Sequence, residues 1–278
     1  MTASAPSAQE PAGTSTLPAA SPAASPVGSV DKALVLLGIL AEAGPEGMSL
    51  RDIAEESGLN KASVHRLLRA LMHRGFAEQS ASDQHYRLGA AALDLGPAFG
   101  AGENLQTLFG PALASISQHT DELVHLGQMD GVRVLYLDKV EPERTLRVWS
   151  RIGSRAPAAR TAMGRAMLAA DGVRGTALAA YAEATEADGS GTAVSAAHLA
   201  DVVEQTAARG WSAEIEENEA GIACVGAALI REGGRSLAVS VTGPIERMGP
   251  QRREEVGQLL REELARLAPR GYVLAPRG

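Results

Sequence analysis

The sequence has little cysteine, few aromatic residues and no long apolar run, and each shortage excludes a class of protein. Its single cysteine, Cys224, cannot form an internal disulfide, and neither a CxxC nor an HExxH pair is present to hold a metal ion. The longest apolar run, "ALVLLGILA" at residues 33–41, is well short of the roughly 20 residues that cross a bilayer. We therefore expect a protein of the reducing cytoplasm that has no membrane partner and binds no metal.

Positive charge is also scarce, because 26 Lys and Arg face 33 Asp and Glu and the formal net charge is −7. This balance argues against indiscriminate coating of nucleic acid, which usually needs a strongly basic domain. Residues 1–28 are rich in Pro, Ala, Ser and Thr, carry one charge and lack the basic start and apolar run of a signal peptide. We interpret them as a disordered tail, followed by about two domains.

One stretch opposes the acidic balance. From Lys61 to Arg74 there are four cations, two histidines and no carboxylate. Four apolar residues in it recur at i, i+3, i+4 and i+7, namely Val64, Leu67, Leu68 and Leu71. This spacing predicts a helix that Asn60 can cap, and at about 100° per residue the cations lie opposite the apolar stripe. The stretch therefore predicts a helix with a basic outer face.

The flanking segments predict a winged helix-turn-helix over residues 29–89. A first helix begins at Ser29 as N-cap, and its predicted buried stripe consists of Ala33, Leu34, Leu37, Leu40 and Ala41. Ser49 can cap a short second helix that ends at Gly58. Residues 75–89 read as two wing strands around a polar turn. This order of elements is that of a DNA-binding domain.

We expect the basic helix to enter the major groove of double-stranded DNA. Its cations would meet phosphates or guanine edges, and small side chains in its first turn would allow close approach to bases. A helix with a merely solvated basic face is the alternative, which the turn glycine and the wing argue against. The expected DNA-binding residues are Ser49, Asn60, Lys61, Ala62, Ser63, His65, Arg66, Arg69, His73 and Arg87.

The remaining sequence predicts a linker helix and an α+β domain. Residues 90–104 are small and apolar, which suits a linker helix that breaks near Gly96-Pro97. Within residues 105–278, two β-rich runs flank Asp130-Gly131, a strong hairpin signal. Helices are predicted at about 161–170, 196–209 and 251–267, and strands at 211–215, 222–230 and 236–242. The pattern indicates an antiparallel sheet.

No motif in this domain supports catalysis. Cys224 is the one candidate thiol nucleophile, and His125 or His198 could serve as its base, but no local signature joins them. A lone cysteine within "IACVGAALI" is typical of a small buried hydrophobe. Phosphate-binding loops and the GxSxG elbow are absent from the sequence. We expect no enzyme activity, no catalytic residue and no cofactor.

Alternation along the last predicted strand places two hydroxyls on one face. Ser240 and Thr242 share that face, and Val239 and Val241 share the other. The hydroxyls either line a polar pocket or are satisfied surface groups, and the pattern alone leaves both open. The acidic cluster around Glu214 is likewise typical of a solvated or Arg-paired turn.

Several ordered blocks resemble the IclR family of bacterial transcription regulators. They are "SVDKALVLLGIL", "MSLRDIAEESGLNKASVHRLLRALMHRGFAEQ" and "YRLG" in the first domain, and "RTAMGRAMLA", "GWSAEIEENEAGIACVGAALI" and "LAVSVTGP" in the second. The resemblance covers roughly residues 29 to 275. The sequence departs from the family pattern at Arg165, Gly226 and Thr242, where lysine, alanine and serine are commoner.

The resemblance implies a GAF-like C-terminal domain that binds an effector on one side of its sheet. The family's effector-contacting positions fall on Thr161, Ala162, Met163, Glu214, Cys224, Ser240 and Thr242. It further implies a ligand-responsive repressor that acts as a homodimer or tetramer on an inverted-repeat operator. We expect a small polar effector such as an organic acid, with a counter-charge from Arg151, Arg155 or Arg160. An enzyme with a vestigial DNA-binding domain and a constitutive DNA-binding protein are the alternatives.

Overall fold

The computed structural model describes residues 25, 27–99, 104–142 and 150–278. The chain divides into two compact units, one up to Phe99 and one from Gly100. The prediction of a disordered tail falls almost entirely outside the described residues, as do residues 100–103 of the predicted linker. In the described ranges, no helix is both long and apolar enough to span a bilayer.

The first unit packs helices and a two-stranded wing around one core. Its elements are α1 (Gly28–Ala43), α2 (Leu50–Ser57), α3 (Lys61–His73), β1 (Ala77–Gln79), β2 (Tyr86–Leu88) and α4 (Ala91–Phe99). The strands β1 and β2 are antiparallel, with Glu78 opposite Arg87. The core residues are Leu36, Ile39, Leu40, Ile53, Ala54, Val64, Leu68, Ala77 and Tyr86. The predicted winged helix-turn-helix is confirmed.

Side-chain caps and one glycine set the turn between α2 and α3. The Ser49 hydroxyl accepts the Asp52 N–H (3.3 Å) and the Asn60 side chain accepts the Ser63 N–H (2.9 Å). Gly58 follows α2 at φ 66°, in the left-handed region that costs glycine little. The predicted caps and turn are confirmed.

Two predictions for α1 are wrong. The helix begins at Gly28 with Val27 at the N-cap position, so Ser29 lies inside it. Leu34, which the stripe places in the core, is 53 % exposed. The residues that α1 buries are Leu36, Gly38, Ile39 and Leu40. Because residues 33–41 are apolar on every side, periodicity cannot determine which face of the helix turns inward.

The linker helix α4 does not break where the sequence predicts. Its backbone stays helical through Gly96 and Pro97 and ends at Phe99. The helix starts against the end of α3, because the Ala91 N–H donates to the Gly75 carbonyl (3.0 Å). Proline removes a backbone donor from a helix but does not always end it.

The second unit is an antiparallel sheet with helices on both faces. Its helices are α5 (Leu105–Thr120), α6 (Ala162–Ala170), α7 (Ala179–Ala187), α8 (Ala196–Arg209) and α9 (Pro250–Leu267). Its strands are β3 (Leu123–Asp130), β4 (Arg133–Val140), β5 (Arg155–Pro157), β6 (Ser212–Ile215), β7 (Ile222–Ile230), β8 (Leu237–Pro244) and β9 (Val273–Leu274). The spatial order is β5-β4-β3-β8-β7-β6, and β9 also pairs with β7. The predicted α+β class, the hairpin at Asp130-Gly131 and the antiparallel sheet are confirmed.

The two faces of this sheet differ in chemistry. On one face, α5 and α9 cover an apolar core whose strand residues include Val124, Leu126, Val225, Val239 and Val241. On the other face lies α6, whose Met163 and Met167 pack against Ala228 and Ala238. Because side chains alternate along a strand, Ser240 and Thr242 lie on the α6 side. Both are at most 5 % exposed, so they are not surface hydroxyls.

Candidate DNA-binding surface and effector site

The outer face of α3 carries the positive charge of the first unit. Val64 and Leu68 are fully buried on its inner side. The exposed residues of its outer side include Lys61, Ala62, His65, Arg66, Arg69 and His73. Within the described part of the chain, Lys61, Arg66 and Arg69 form no ion pair. Their charges are therefore free to meet an anion.

The other three residues predicted around the start of α3 serve its geometry. Ser49 and Asn60 cap α2 and α3, and the Ser49 hydroxyl also donates to the Asp52 carboxylate (2.6 Å). Ser63 is half-buried beside the Asn60 cap. These residues set the angle and the exposed amides of the helix start, where phosphate is readily bound.

Arg87 is placed differently from the cations of α3. Its Nη2 forms an ion pair with Asp83 (2.8 Å) in the wing turn and donates to the Glu46 carbonyl (3.4 Å). Its Nε is buried without a hydrogen-bond partner among the described residues. A Cβ at Gly47 would stand 2.5 Å from the Arg87 Cγ. Arg87 is thus folded between the wing and the turn before α2.

In the second unit, the first turn of α6 rests on the sheet. Thr161 caps α6, and its hydroxyl accepts the Gly164 N–H (3.0 Å). Ala162 and Met163 are each 1 % exposed. The Ser212 hydroxyl on β6 donates to the Ala162 carbonyl. The loop predicted to contact an effector is therefore docked directly on the strands that carry the other predicted residues.

Strand register brings those other residues into adjacent rows. Cys224 lies opposite both Glu214 and Thr242. Ser240 lies opposite Gly226 on β7 and His125 on β3. The Cys224 Sγ is 3.3 Å from the Thr242 Oγ1. All seven predicted effector residues therefore share the α6 side of the sheet or the first turn of α6.

Two residues that the sequence predictions omit complete this region. The Nδ1 of His125 is 3.4 Å from the Thr242 Oγ1, and its Nε2 is 2.8 Å from the Ser150 hydroxyl. Tyr136 meets the His125 ring edge-on, with centroids 5.1 Å apart. A sequence signal exists, because the alternation of β3 places the polar His125 between two apolar residues of the opposite face.

Burial keeps these groups neutral. It lowers the pKa of His125 to about 3, with a further contribution from Lys139, so the imidazole is uncharged near pH 7. Burial and then Glu214 raise the pKa of the Cys224 thiol. A nucleophilic cysteine needs the opposite, a lowered pKa next to a base. The arrangement is suited to hydrogen bonding rather than to nucleophilic attack.

Glu214 is held by the turn after β6. Its Oε1 accepts the backbone N–H groups of Glu217 (2.6 Å) and Asn218 (3.0 Å). Burial raises its pKa, against these hydrogen bonds and the charge of Arg165. Arg165 donates to the carbonyls of Ala159 (2.8 Å) and Ala213 (3.0 Å) and to the Glu217 carboxylate. A lysine, commoner at this position in the family, could not make this planar fork of hydrogen bonds.

Two of the three arginines predicted as counter-charges, Arg155 and Arg160, have acidic partners of their own. Arg155 forms an ion pair with Asp130 (2.7 Å). Arg160 is 1 % exposed and binds Asp188, which Arg133 also contacts (2.7 Å). Two surface clefts, of about 390 and 370 Å³, lie elsewhere, one beside Asp171 and Arg235 and one between α1 and the wing. Neither cleft contains the predicted effector residues, which lie beneath α6 or in its first turn.

A helix whose exposed cations form no ion pair among the described residues, and a polar cluster on a separate α+β domain, are features expected of a ligand-responsive transcription regulator. Comparison with known proteins agrees. Residues 29–81 match the IclR helix-turn-helix domain, and residues 101–267 match the C-terminal domain of the bacterial transcriptional regulator IclR. The chain belongs to the IclR family.

Named relatives cover most of the chain. It is 29 % identical over 245 residues to the transcriptional repressor IclR of Escherichia coli strain K12, covering 87 % of this chain and 89 % of that protein. It is 33 % identical over 226 residues to the glycerol operon regulatory protein of Streptomyces coelicolor, covering 79 % and 86 %.

Solved structures share the fold. A putative IclR transcriptional regulator from Silicibacter sp. TM1040 has a TM-score of 0.68 at 25 % identity, covering 86 % of this chain and 94 % of that one. An IclR homolog complexed with 4-hydroxybenzoate from Microbacterium hydrocarbonoxydans has a TM-score of 0.65 at 19 % identity, covering 85 % and 97 %.

Proposed function

We propose that this protein is a transcriptional repressor that binds operator DNA through α3 and is released by a small metabolite bound between α6 and the sheet. The observation that carries the DNA half is the exposed face of α3, whose cations make no ion pair within the described residues of an acidic chain. Its target is double-stranded DNA in the bacterial cytoplasm. The protein acts by binding and not as an enzyme.

On DNA, Lys61, Arg66 and Arg69 reach phosphates or guanine edges, and Ala62 lets the helix approach the bases. His65 and His73 extend the same exposed face. Ser49, Asn60 and Ser63 act at the N-terminal ends of α2 and α3, where backbone amides receive phosphate. Arg87 contributes by holding the wing, since its side chain is engaged with Asp83.

The effector binds against Thr161, Ala162 and Met163 on one side. Glu214, Cys224, Ser240 and Thr242 form the other side of the same site. Support comes from their common position on one side of the sheet, where all but the half-buried Cys224 are buried, and from a homolog of the same fold crystallised with 4-hydroxybenzoate. An effector must bind the DNA-competent and incompetent states with different affinity, or it could not shift their populations.

The protein acts as a homodimer or a dimer of dimers on an inverted repeat. One winged domain buries a modest interface on DNA, so tight binding needs two copies, and two-fold symmetry is the commonest arrangement. In α4, Leu93 is 77 % and Leu95 is 58 % exposed. This apolar surface is suited to pairing the first units of two copies.

The test begins with genome-wide mapping of bound DNA, because genes beside the bound sites indicate both the operator and the metabolite. Organic acids are then titrated by calorimetry and by operator release. The proposal expects an acid that releases wild type and binds a Ser240→Ala/Thr242→Val double mutant more weakly. Equal affinity for the double mutant would place the site elsewhere. Turnover of the acid would favour an enzyme, and DNA affinity that no metabolite changes would favour a constitutive DNA-binding protein.

A further inference from the structure

One oxygen at the effector site lacks a partner. Glu214 is 1 % exposed, and its Oε1 is satisfied by two backbone N–H groups. Its Oε2 is buried and has no hydrogen-bond partner among the described residues. The Cys224 thiol approaches Glu214 and lowers its pKa as a weak hydrogen-bond donor would, but it makes no hydrogen bond of ordinary geometry to Oε2. A buried acceptor of this kind calls for a donor from outside the chain.

Apart from Arg165, the groups beside this oxygen are neutral or acidic. Cys224 and Thr242 stand in the same row across the sheet as Glu214, and the neutral His125 side chain contacts Thr242 from the neighbouring row. The guanidinium of Arg165 is bonded to two carbonyls and to Glu217. An ionised carboxylate of a ligand would be repelled at Oε2, whereas a hydroxyl would donate to it.

The other end of the site has the opposite preference. A helix leaves its first amides without intrahelical acceptors, and in α6 the Thr161 hydroxyl satisfies the N–H of Gly164 but not those of Ala162 and Met163. Backbone amides at a helix start receive carboxylates. This turn stands over Gly226, two residues from Cys224 on the same strand face, a separation of about 7 Å. A ligand of roughly two to four carbons would bridge the two ends.

We propose that the effector is a small hydroxycarboxylic acid, with its carboxylate on the first turn of α6 and its hydroxyl donating to Glu214 Oε2. Glu214 is then the residue that selects the hydroxy acid over the keto acid of the same length. Facing the ionised carboxylate, a keto oxygen can only accept, so it would leave two acceptors opposite each other. This inference rests on the proposed function, since it concerns the same site.

Full-length protein is titrated by calorimetry with acids in matched triplets. These are lactate, pyruvate and propionate, and 3-hydroxybutyrate, acetoacetate and butyrate. We expect at least one hydroxy acid to bind at least about tenfold more tightly than both partners of its triplet, because sites built for a hydroxyl reject analogues without one. Equal affinity within every triplet that binds would overturn the inference and leave the proposed function standing.

A Glu214→Gln variant sharpens the test. Its amide carbonyl must accept the Glu217 and Asn218 N–H groups, so its NH₂ takes the place of Oε2 and offers a donor. We expect the preference to invert toward the keto acid, while the exposed control Glu232→Gln keeps the wild-type ranking. Equal weakening of all three acids would indicate a purely structural role and contradict the inference. If Glu214→Gln does not fold, the wild-type ranking still decides. Failure of every acid to bind or to release DNA would overturn the proposed effector as well.

Discussion

Gly226 on β7 lies directly beneath Ala162, so that a Cβ at position 226 would stand 2.8 Å from the Ala162 carbonyl carbon and oxygen. The Met163 nitrogen would be 3.0 Å away. Contacts this close with backbone cannot be relieved by a side-chain rotation. Alanine, commoner in the family at this position, therefore requires α6 to lie in a different position on the sheet.

We expect Gly226→Ala to lower the free energy of unfolding by about 1–3 kcal/mol, as overpacking does, and to weaken effector binding because α6 is displaced. Chemical denaturation and calorimetry measure the two effects. Gly110→Ala is the control, because a Cβ there meets nothing within 4 Å. Wild-type stability and effector affinity in Gly226→Ala would show that α6 moves freely.

Arg66→Ala should weaken operator binding, because Arg66 is exposed on the outer face of α3 and forms no ion pair among the described residues. A base contact costs about 1–3 kcal/mol and relaxes preference at one position, whereas a phosphate contact weakens all sequences alike and flattens the salt dependence. Anisotropy titrations across salt concentrations distinguish the two. Arg270→Ala in the second unit serves as the control. Unchanged affinity and slope would remove Arg66 from the interface.

Arg87→Ala should weaken operator binding without changing its salt dependence, because Arg87 holds the wing through Asp83 and Glu46. Asp83→Asn should act in the same direction, since it removes the same ion pair. If Arg87 contacted a phosphate instead, Arg87→Ala would reduce the salt slope by about 0.9 and Asp83→Asn would tighten binding. Salt-dependent titrations of both variants decide between these roles.

The His125→Gln variant should have a flatter pH dependence of stability than wild type. Burial lowers the pKa of His125 to about 3, below its unfolded value, so the unfolded chain binds the proton more readily. The contribution of neutral His125 to the free energy of unfolding is therefore fully present above about pH 6.5. It is lost as pH falls toward 3, on the order of 3 kcal/mol by pH 4. Denaturation at a series of pH values measures it. His198→Gln, at an exposed position, is the matched control.

The double variant Leu93→Glu/Leu95→Glu should sediment as a smaller species than wild type. Both leucines are more than half exposed, so the charges should leave the fold intact and disfavour contact between copies. Analytical ultracentrifugation at micromolar concentration measures the effect. Ile152→Glu, at a position 45 % exposed in the second unit, controls for added charge. A wild-type monomer would contradict the proposed dimer.

Local sequence patterns were sufficient to predict the bounds of several helices and strands in the second unit. The boundaries of α8 and β7 agree with the sequence predictions, and those of α6, β6, β8 and α9 differ by at most two residues. By contrast, no helix is predicted from the sequence over α5, because Gly110 and Pro111 are typical helix breakers. In the structure, Pro111 lies inside that helix. The buried face of α1 is ambiguous for the reason given above.

The candidate site could be predicted only in part. Alternation places Ser240 and Thr242 together, but it does not predict that the Glu214 side chain turns back to accept the Glu217 and Asn218 N–H groups. His125 and Tyr136 join the site through pairing between strands far apart in the chain, which no window of sequence contains.

The division of the sheet into a valine face and a hydroxyl face also bears on how the chain folds. A slip of β8 by one residue would press Ser240 and Thr242 against α5 and α9 and turn Val239 and Val241 toward α6. Such a misaligned sheet would lose its core and its ligand contacts at once. The alternation of valines and hydroxyls in β8 therefore favours one strand register. Replacing Ser240 and Thr242 with apolar residues would reduce the free-energy difference between the correct and the slipped register, even where it increases the buried apolar surface.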